Sequence, residues 1–136
     1  MRGFIAGLSF MALMAGPVAA QGFKAENGVI VLPVAGGFSV TGDAGLGARG
    51  MWCAAADYAR KREGARASQR LYIAQGRTAG LGQRDPVTFT LSAQGLTPVG
   101  VIVLGSSLAR AGANLSVGHA YGFCADSKLV RDGHRP

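Results

Sequence analysis

The sequence predicts an α+β fold, a small antiparallel sheet with one main helix packed on it. Three observations carry that expectation. One segment, residues 52–62, repeats small and apolar side chains at helical spacing. Several short runs alternate apolar with polar residues, most clearly Val87, Phe89 and Leu91 against Thr88, Thr90 and Ser92. Glycines, 22 in 136 residues, sit mostly between those runs, where turns belong.

The first twenty residues read as an address. Met1-Arg2 is a short basic start, and Phe4 to Ala15 is an uncharged apolar run of twelve residues. That is too short for a bilayer core, which takes about 20 helical residues. Gly16-Pro17 breaks the helix, and Val18-Ala19-Ala20 puts small residues where a signal peptidase reads. The expectation is a cleavable signal peptide over 1–20 and a periplasmic or secreted product. Gln21 in place of Cys gives no support for a lipoprotein anchor there.

The elements then follow in order. Val29 to Val34 is apolar and contains Pro33, which suits an edge strand. Gly36-Gly37 marks a turn before the alternating Phe38 to Thr41. A glycine-rich connection, Gly42 to Gly50, leads into the helix. There Trp52, Ala55, Ala56 and Ala59 form the apolar face, with Asp57, Arg60 and Lys61 on the other side and Cys53 in the first turn. Arg60, Lys61 and Arg62 oppose the negative end of the helix dipole, and Gly64 ends the helix. Leu71 to Ala74 and Val87 to Leu91 read as a long-looped hairpin, its loop flanked by Arg77 and Arg84. Val99 to Leu104 is apolar on both faces, as a central strand beneath the helix would be. Val117 to Ala125 fits strand or short helix. The organisation expected is a signal peptide over 1–20, one exported domain over 21–127 and a frayed basic tail over 128–136.

Composition narrows the function classes. Apolar residues at 49% suffice for a core and exclude wholesale disorder. The uncharged stretch Pro86 to Ala109 carries two prolines and three glycines and alternates at its start, so no membrane span is expected in the mature chain. Two Cys and two His leave no Cys/His zinc set unless all four are used, and no metal or cofactor is expected. The string Gly45-Leu46-Gly47-Ala48-Arg49-Gly50 has the GxGxxG spacing of a dinucleotide site, but residues 65–70 hold no acidic partner for a ribose. What remains is a helix start whose amides, beside Arg49, suit a phosphate or carboxylate.

The formal net charge is +7, with 14 Lys plus Arg against 7 Asp plus Glu. Arg60, Lys61, Arg62, Arg66 and Arg70 cluster around the helix end, against Glu63 alone. With Arg49 they form the candidate anion-binding set, and an anionic envelope polymer or lipid head groups are the partners it implies. A solvated helix end is the competing reading of the same residues. Nucleic acid is not expected, because no aromatics interleave with the cations.

Cys53 and Cys124 most simply form one disulfide in an exported chain. Alternatively Cys53, at a helix start that stabilises thiolate, is a nucleophile. Trp52-Cys53-Ala54-Ala55 and Gly118-His119-Ala120 resemble the cysteine and histidine motifs of papain-like cell-wall peptidases and amidases. That resemblance implies Cys53 as nucleophile and a strand-borne His119 as base. The chain also resembles a type of uncharacterised small exported bacterial protein. Its shared features are Trp52-Cys53, Asp57-Tyr58-Ala59-Arg60, Leu71-Tyr72-Ile73, Gly76-Arg77, Val87-Thr88-Phe89 and Phe123-Cys124. This second resemblance implies no activity and favours the disulfide. The leading expectation is therefore a non-enzymatic, disulfide-clipped exported domain.

Overall fold

The computed structural model describes residues 21–80 and 82–133. The expected signal peptide lies outside them. The architecture is α+β, as the sequence predicts. Among the described residues the strands are β1 (Phe23–Lys24), β2 (Ile30–Val34), β3 (Gly37–Val40), β4 (Arg70–Gln75), β5 (Val87–Thr90), β6 (Val99–Gly100) and β7 (Ala113–Ser116). They form one seven-stranded sheet in the order β1-β2-β3-β5-β4-β7-β6. Every pairing is antiparallel except that of β6 with β7.

The helix α1 (Ala48–Arg62) joins β3 to β4 and packs against the sheet. Its contact is aromatic. Phe23 meets Tyr58 edge-on, Tyr58 lies 4.6 Å from Phe38, Phe38 stacks beside Phe89, and Phe89 meets Trp52 edge-on at 5.1 Å. Edge and offset contacts of this kind match the ring quadrupoles and add to area burial. Trp52 is fully buried, and its indole N–H donates to Ser107 Oγ at 3.0 Å, so the one polar atom of that ring is satisfied.

The amphipathic reading of α1 is corrected by its surroundings. Every residue from Gly50 to Ala59 is buried, Asp57 included. Two helices, α3 (Val117–Gly122) and α4 (Cys124–Gly133), cover the side that was expected to face water. Alanines make this possible, since four of the ten buried positions are Ala and let neighbours approach closely. Gly50 belongs to the same logic: a Cβ there would strike the backbone carbonyl of Asp43. The glycine string before α1 thus serves close packing of loop on helix. The helix begins four residues before Trp52, which moves Cys53 from the first turn to the second. Its end is as expected, with Arg60, Lys61 and Arg62 in the last turn and Gly64 beyond the cap.

Elsewhere the sequence reading holds in part. The hairpin of β4 and β5 forms, with a register shift between Ile73 and Gln75. Pro33 lies in the second strand, but β1 pairs only with Ile30 and Val31, so Pro33 faces an unpaired edge as its missing N–H requires. Val99 to Leu104 is not a central strand. Only Val99 and Gly100 join the sheet, at its far edge and parallel to β7. The chain then leaves to form α2 (Leu104–Ser107), because Ser107 and Leu108 are drawn inward beside Trp52. Asn114 fixes the short parallel pair by donating its amide to the Val99 and Gly112 carbonyls. Val117 to Ala125 is helical, and the tail expected to fray from residue 128 continues as α4 to Gly133.

Cys53 and Cys124 are bonded and buried, joining α1 to α4 across a sequence separation of 71 residues. Closing a loop of that size stabilises the fold by about 4 kcal/mol in the chain-entropy model. The unreduced protein should therefore titrate no thiol, and urea unfolding of the Cys53→Ala/Cys124→Ala variant should show a loss on the order of 4 kcal/mol. A midpoint unchanged from the parent would show that helix packing alone fixes α4.

Candidate functional site: an arginine-lined cleft

The bonded cysteines decide one question directly. No thiolate is available at Cys53, and the papain-like reading is overturned. His119 is not strand-borne either. It lies in α3, where its backbone N–H donates to the capping Ser116 Oγ and its ring sits 5.4 Å from that of Phe123.

The cations singled out in the sequence are placed as follows. Arg49, exposed at the start of α1, pairs with Asp126 at 3.0 Å and reaches over the Phe123 ring. Arg60 lies 3.9 Å from the centre of the Tyr121 ring, and Arg62 sits over Phe23. Lys61 Nζ is 2.9 Å from Asp57 Oδ1. Arg70, on β4, binds the Asn114 side-chain and backbone oxygens. Arg66 is exposed in the turn after α1, where its backbone N–H donates to Gln69 Oε1. The structure thus brings Arg60, Lys61 and Arg62 together on one turn. Arg49 is at the other end of α1, roughly 17 Å away at the helical rise. Most of these groups hold a partner within the fold.

Asp57 explains part of that arrangement. It is fully buried, and its Oδ2 accepts the backbone N–H of Glu26 at 2.8 Å. Its buried Oδ1 faces the Lys61 ammonium at 2.9 Å, and that ion pair is what meets it. Glu26 in turn accepts the Tyr121 hydroxyl at 2.6 Å and faces Lys128 at 3.7 Å. This network joins the β1–β2 turn to α1, α3 and α4, so the helix-end lysine has a structural task.

Arg77 is different. It follows β4, and its backbone N–H donates to the Leu108 carbonyl at 2.9 Å. The residue is half-buried, and its side-chain partner among the described residues is Met51 Sδ at 3.7 Å, a weak acceptor. Guanidinium presents five N–H donors, so most of its binding capacity remains open. The group lines a cleft of about 490 Å³ between the β3–α1 loop and the β4–β5 loop. Thr41, Asp43, Gln83 and Arg84 share that lining. Asp43 is partly committed, since its Oδ1 accepts the Gly45 N–H at 2.8 Å. The cleft therefore offers two guanidinium groups and a side-chain amide around a water-accessible space.

Sequence reading left Arg77 and Arg84 as residues flanking a loop. The signal that could have found them is the break of the strand at Gly76 directly before an arginine. No spacing rule links either residue to Met51 or Asp43, because the fold alone brings those loops together. Among the described residues no group of three His, Cys, Asp or Glu is placed to hold a metal ion. No protein-family model matches the chain, and no curated protein and no solved structure was found similar to it. Function is therefore argued from geometry.

Two groups make stability depend on alkaline pH. Burial pushes the Tyr58 phenol above its ordinary value, helped by the nearby Glu63 charge and opposed by Arg62. The Asp57 hydrogen-bond and charge interaction raises Lys61 against a smaller desolvation effect. Both groups hold their protons more tightly when folded. Their contributions are thus complete below about pH 10 and fall as pH rises through the folded values. Thermal unfolding should show a flat melting temperature from neutral pH to about 9.5 and a decline beyond 10. Tyr58→Phe and Lys61→Met should each flatten that decline. Asp57→Ala, which strands the Glu26 N–H, should cost about 1–3 kcal/mol at neutral pH.

Proposed function

We propose that the chain is an exported, non-enzymatic domain that binds an anionic envelope ligand, a phosphate- or carboxylate-bearing polymer, in the Arg77 cleft. The observation that carries this reading is the half-buried Arg77, which lines a polar cleft and has the Met51 thioether as its side-chain hydrogen-bond partner among the described residues. Guanidinium matches carboxylate and phosphate geometry in a way that a lone ammonium does not. Arg84 adds a second cation at the rim. What the cleft supplies is cationic hydrogen-bond donors, and binding is the chemistry they perform.

Export is supported by the signal-like layout of residues 1–20 and by a buried disulfide, a bond that persists in oxidising compartments. No helix among the described residues is long and apolar enough to cross a membrane. Arg60, Arg62 and Arg66 contribute to the positive field that draws an anion inward, while their own geometry is tied to Tyr121, Phe23 and the turn after α1.

Calorimetric titration with inorganic phosphate and with poly-glutamate tests the site. Arg77→Gln should weaken binding about tenfold, the equivalent of one charge-assisted contact, and raised salt should weaken it further. Charge reversal at Arg62 and Arg66 should change it less than about threefold. Equal binding by the parent and the Arg77→Gln/Arg84→Gln variant would remove the cleft from consideration.

A further inference from the structure

The segment between β6 and α2 presents an apolar tip. Ile102 is 97% exposed and Val103 is 63% exposed, two adjacent β-branched side chains standing in water. Single exposed aliphatics are ordinary, whereas these two are adjacent and together form one small apolar surface. The tip is held rigidly. Val101 and Leu104, on either side of it, pack against the core. Ser107 and Leu108, just beyond, are buried, and Ser107 Oγ accepts the Trp52 indole N–H. Folding has turned Ile102 and Val103 outward while pinning both flanks.

The backbone at the tip is prepared for a medium poor in hydrogen bonds. The Ser106 hydroxyl donates to the Val103 carbonyl at 3.0 Å, and the Ser107 hydroxyl donates to the Leu104 carbonyl at 2.5 Å. Carbonyls satisfied from within lose less on leaving water than open ones. Charge points the same way. From Pro86 to Ala125 the chain contains no acidic residue, and Arg110 is its one formally charged side chain. Arg110 is exposed at the base of the tip, where its N–H donates to the Ser107 carbonyl. Arg77 is anchored beside it through Leu108.

From this we infer that the Ile102–Val103 tip inserts into the surface of an anionic phospholipid bilayer, with Arg110 at the level of the head groups. A bilayer suits the feature better than a protein groove does: the tip is a small convex wedge, and the one formally charged side chain within residues 86–125 is the positive Arg110. Apolar insertion and head-group attraction then act together, as in interfacial membrane binding. The inference stands apart from the Arg77 cleft and needs no ligand there.

The test uses the purified chain, its N-terminus read by mass spectrometry. The native cysteines are bonded, so Ile102→Cys provides a single thiol for an environment-sensitive dye. On phosphatidylcholine vesicles containing about one third phosphatidylglycerol, the dye should shift to the blue, and on pure phosphatidylcholine it should shift far less. The same dye at Glu63→Cys, in the C-cap of α1, should not respond. Ile102→Asp/Val103→Asp should weaken sedimentation with the mixed vesicles at least about tenfold. The inference fails if the dye at 102 is silent on lipid, if the Glu63 position responds as strongly, or if the double aspartate variant sediments like the parent. It fails equally if the dye at 102 shifts with protein concentration alone, which would make a second copy the partner.

Discussion

The structure depends on the burial of α1 from both sides. A helix lying on a sheet ordinarily keeps one face in water, and its sequence shows that face. Here the sheet takes Trp52 and Tyr58 through a line of aromatic contacts, while α3 and α4 close over the opposite side. Small residues are the condition for this double covering. Ala54, Ala55, Ala56 and Ala59 allow approach, and Gly50 admits the carbonyl of Asp43 where any Cβ would collide. A Leu at one of these alanines would force the neighbouring layer outward and open the packing.

Two further features follow from that constraint. A helix without a solvent face has no free place for its polar residue, so Asp57 is buried and must be matched. The Glu26 N–H and the Lys61 ammonium do so, and this ties the β1–β2 turn to the helix. The second cover, α3 with α4, is short and rests on few large side chains. The Cys53–Cys124 bond holds it in place from the middle of α1. The disulfide therefore ties that layer to α1 by a covalent bond as well as by packing. Closing the second layer also places Tyr121, Phe123 and Asp126 against Arg60 and Arg49, which gives the helix cations their partners.

These relations separate what was legible in the sequence from what was not. The hairpin of β4 and β5 was legible because Leu71, Ile73, Val87 and Phe89 are buried while Tyr72, Ala74 and Thr88 between them are only partly so, and period two survives. The end of α1 and the cysteine pair were legible because caps and bonds are local or few in kind. Asp57 was misplaced because periodicity reads one covered face, and α1 has two. Val99 to Leu104 was misplaced because an apolar run signals contact with something and not necessarily with a sheet. Its inner members, Val101 and Leu104, do pack on the core, whereas Ile102 and Val103 point away from it. Arg77 could not be found at all from spacing, since its neighbours come from three separate segments.

The apolar tip and the arginine cleft share one junction. The Arg77 N–H donates to the Leu108 carbonyl, and Gly76 lies so near Leu108 and Ala109 that an added Cβ would collide with their backbone. Leu108 is itself buried, and Ser107 beside it holds the Trp52 ring. The end of β4 and the end of α2 are thus joined to each other and to the centre of α1 by contacts that leave little slack. Loops that carry function are commonly mobile and ordered only by their ligand. Here two loops project from a fixed junction, so neither Arg77 nor Ile102 must be ordered when a partner arrives. Preorganisation of that kind reduces the entropy cost of binding. For the two binding roles proposed, the dense packing around Trp52 would then carry a functional consequence as well as a structural one.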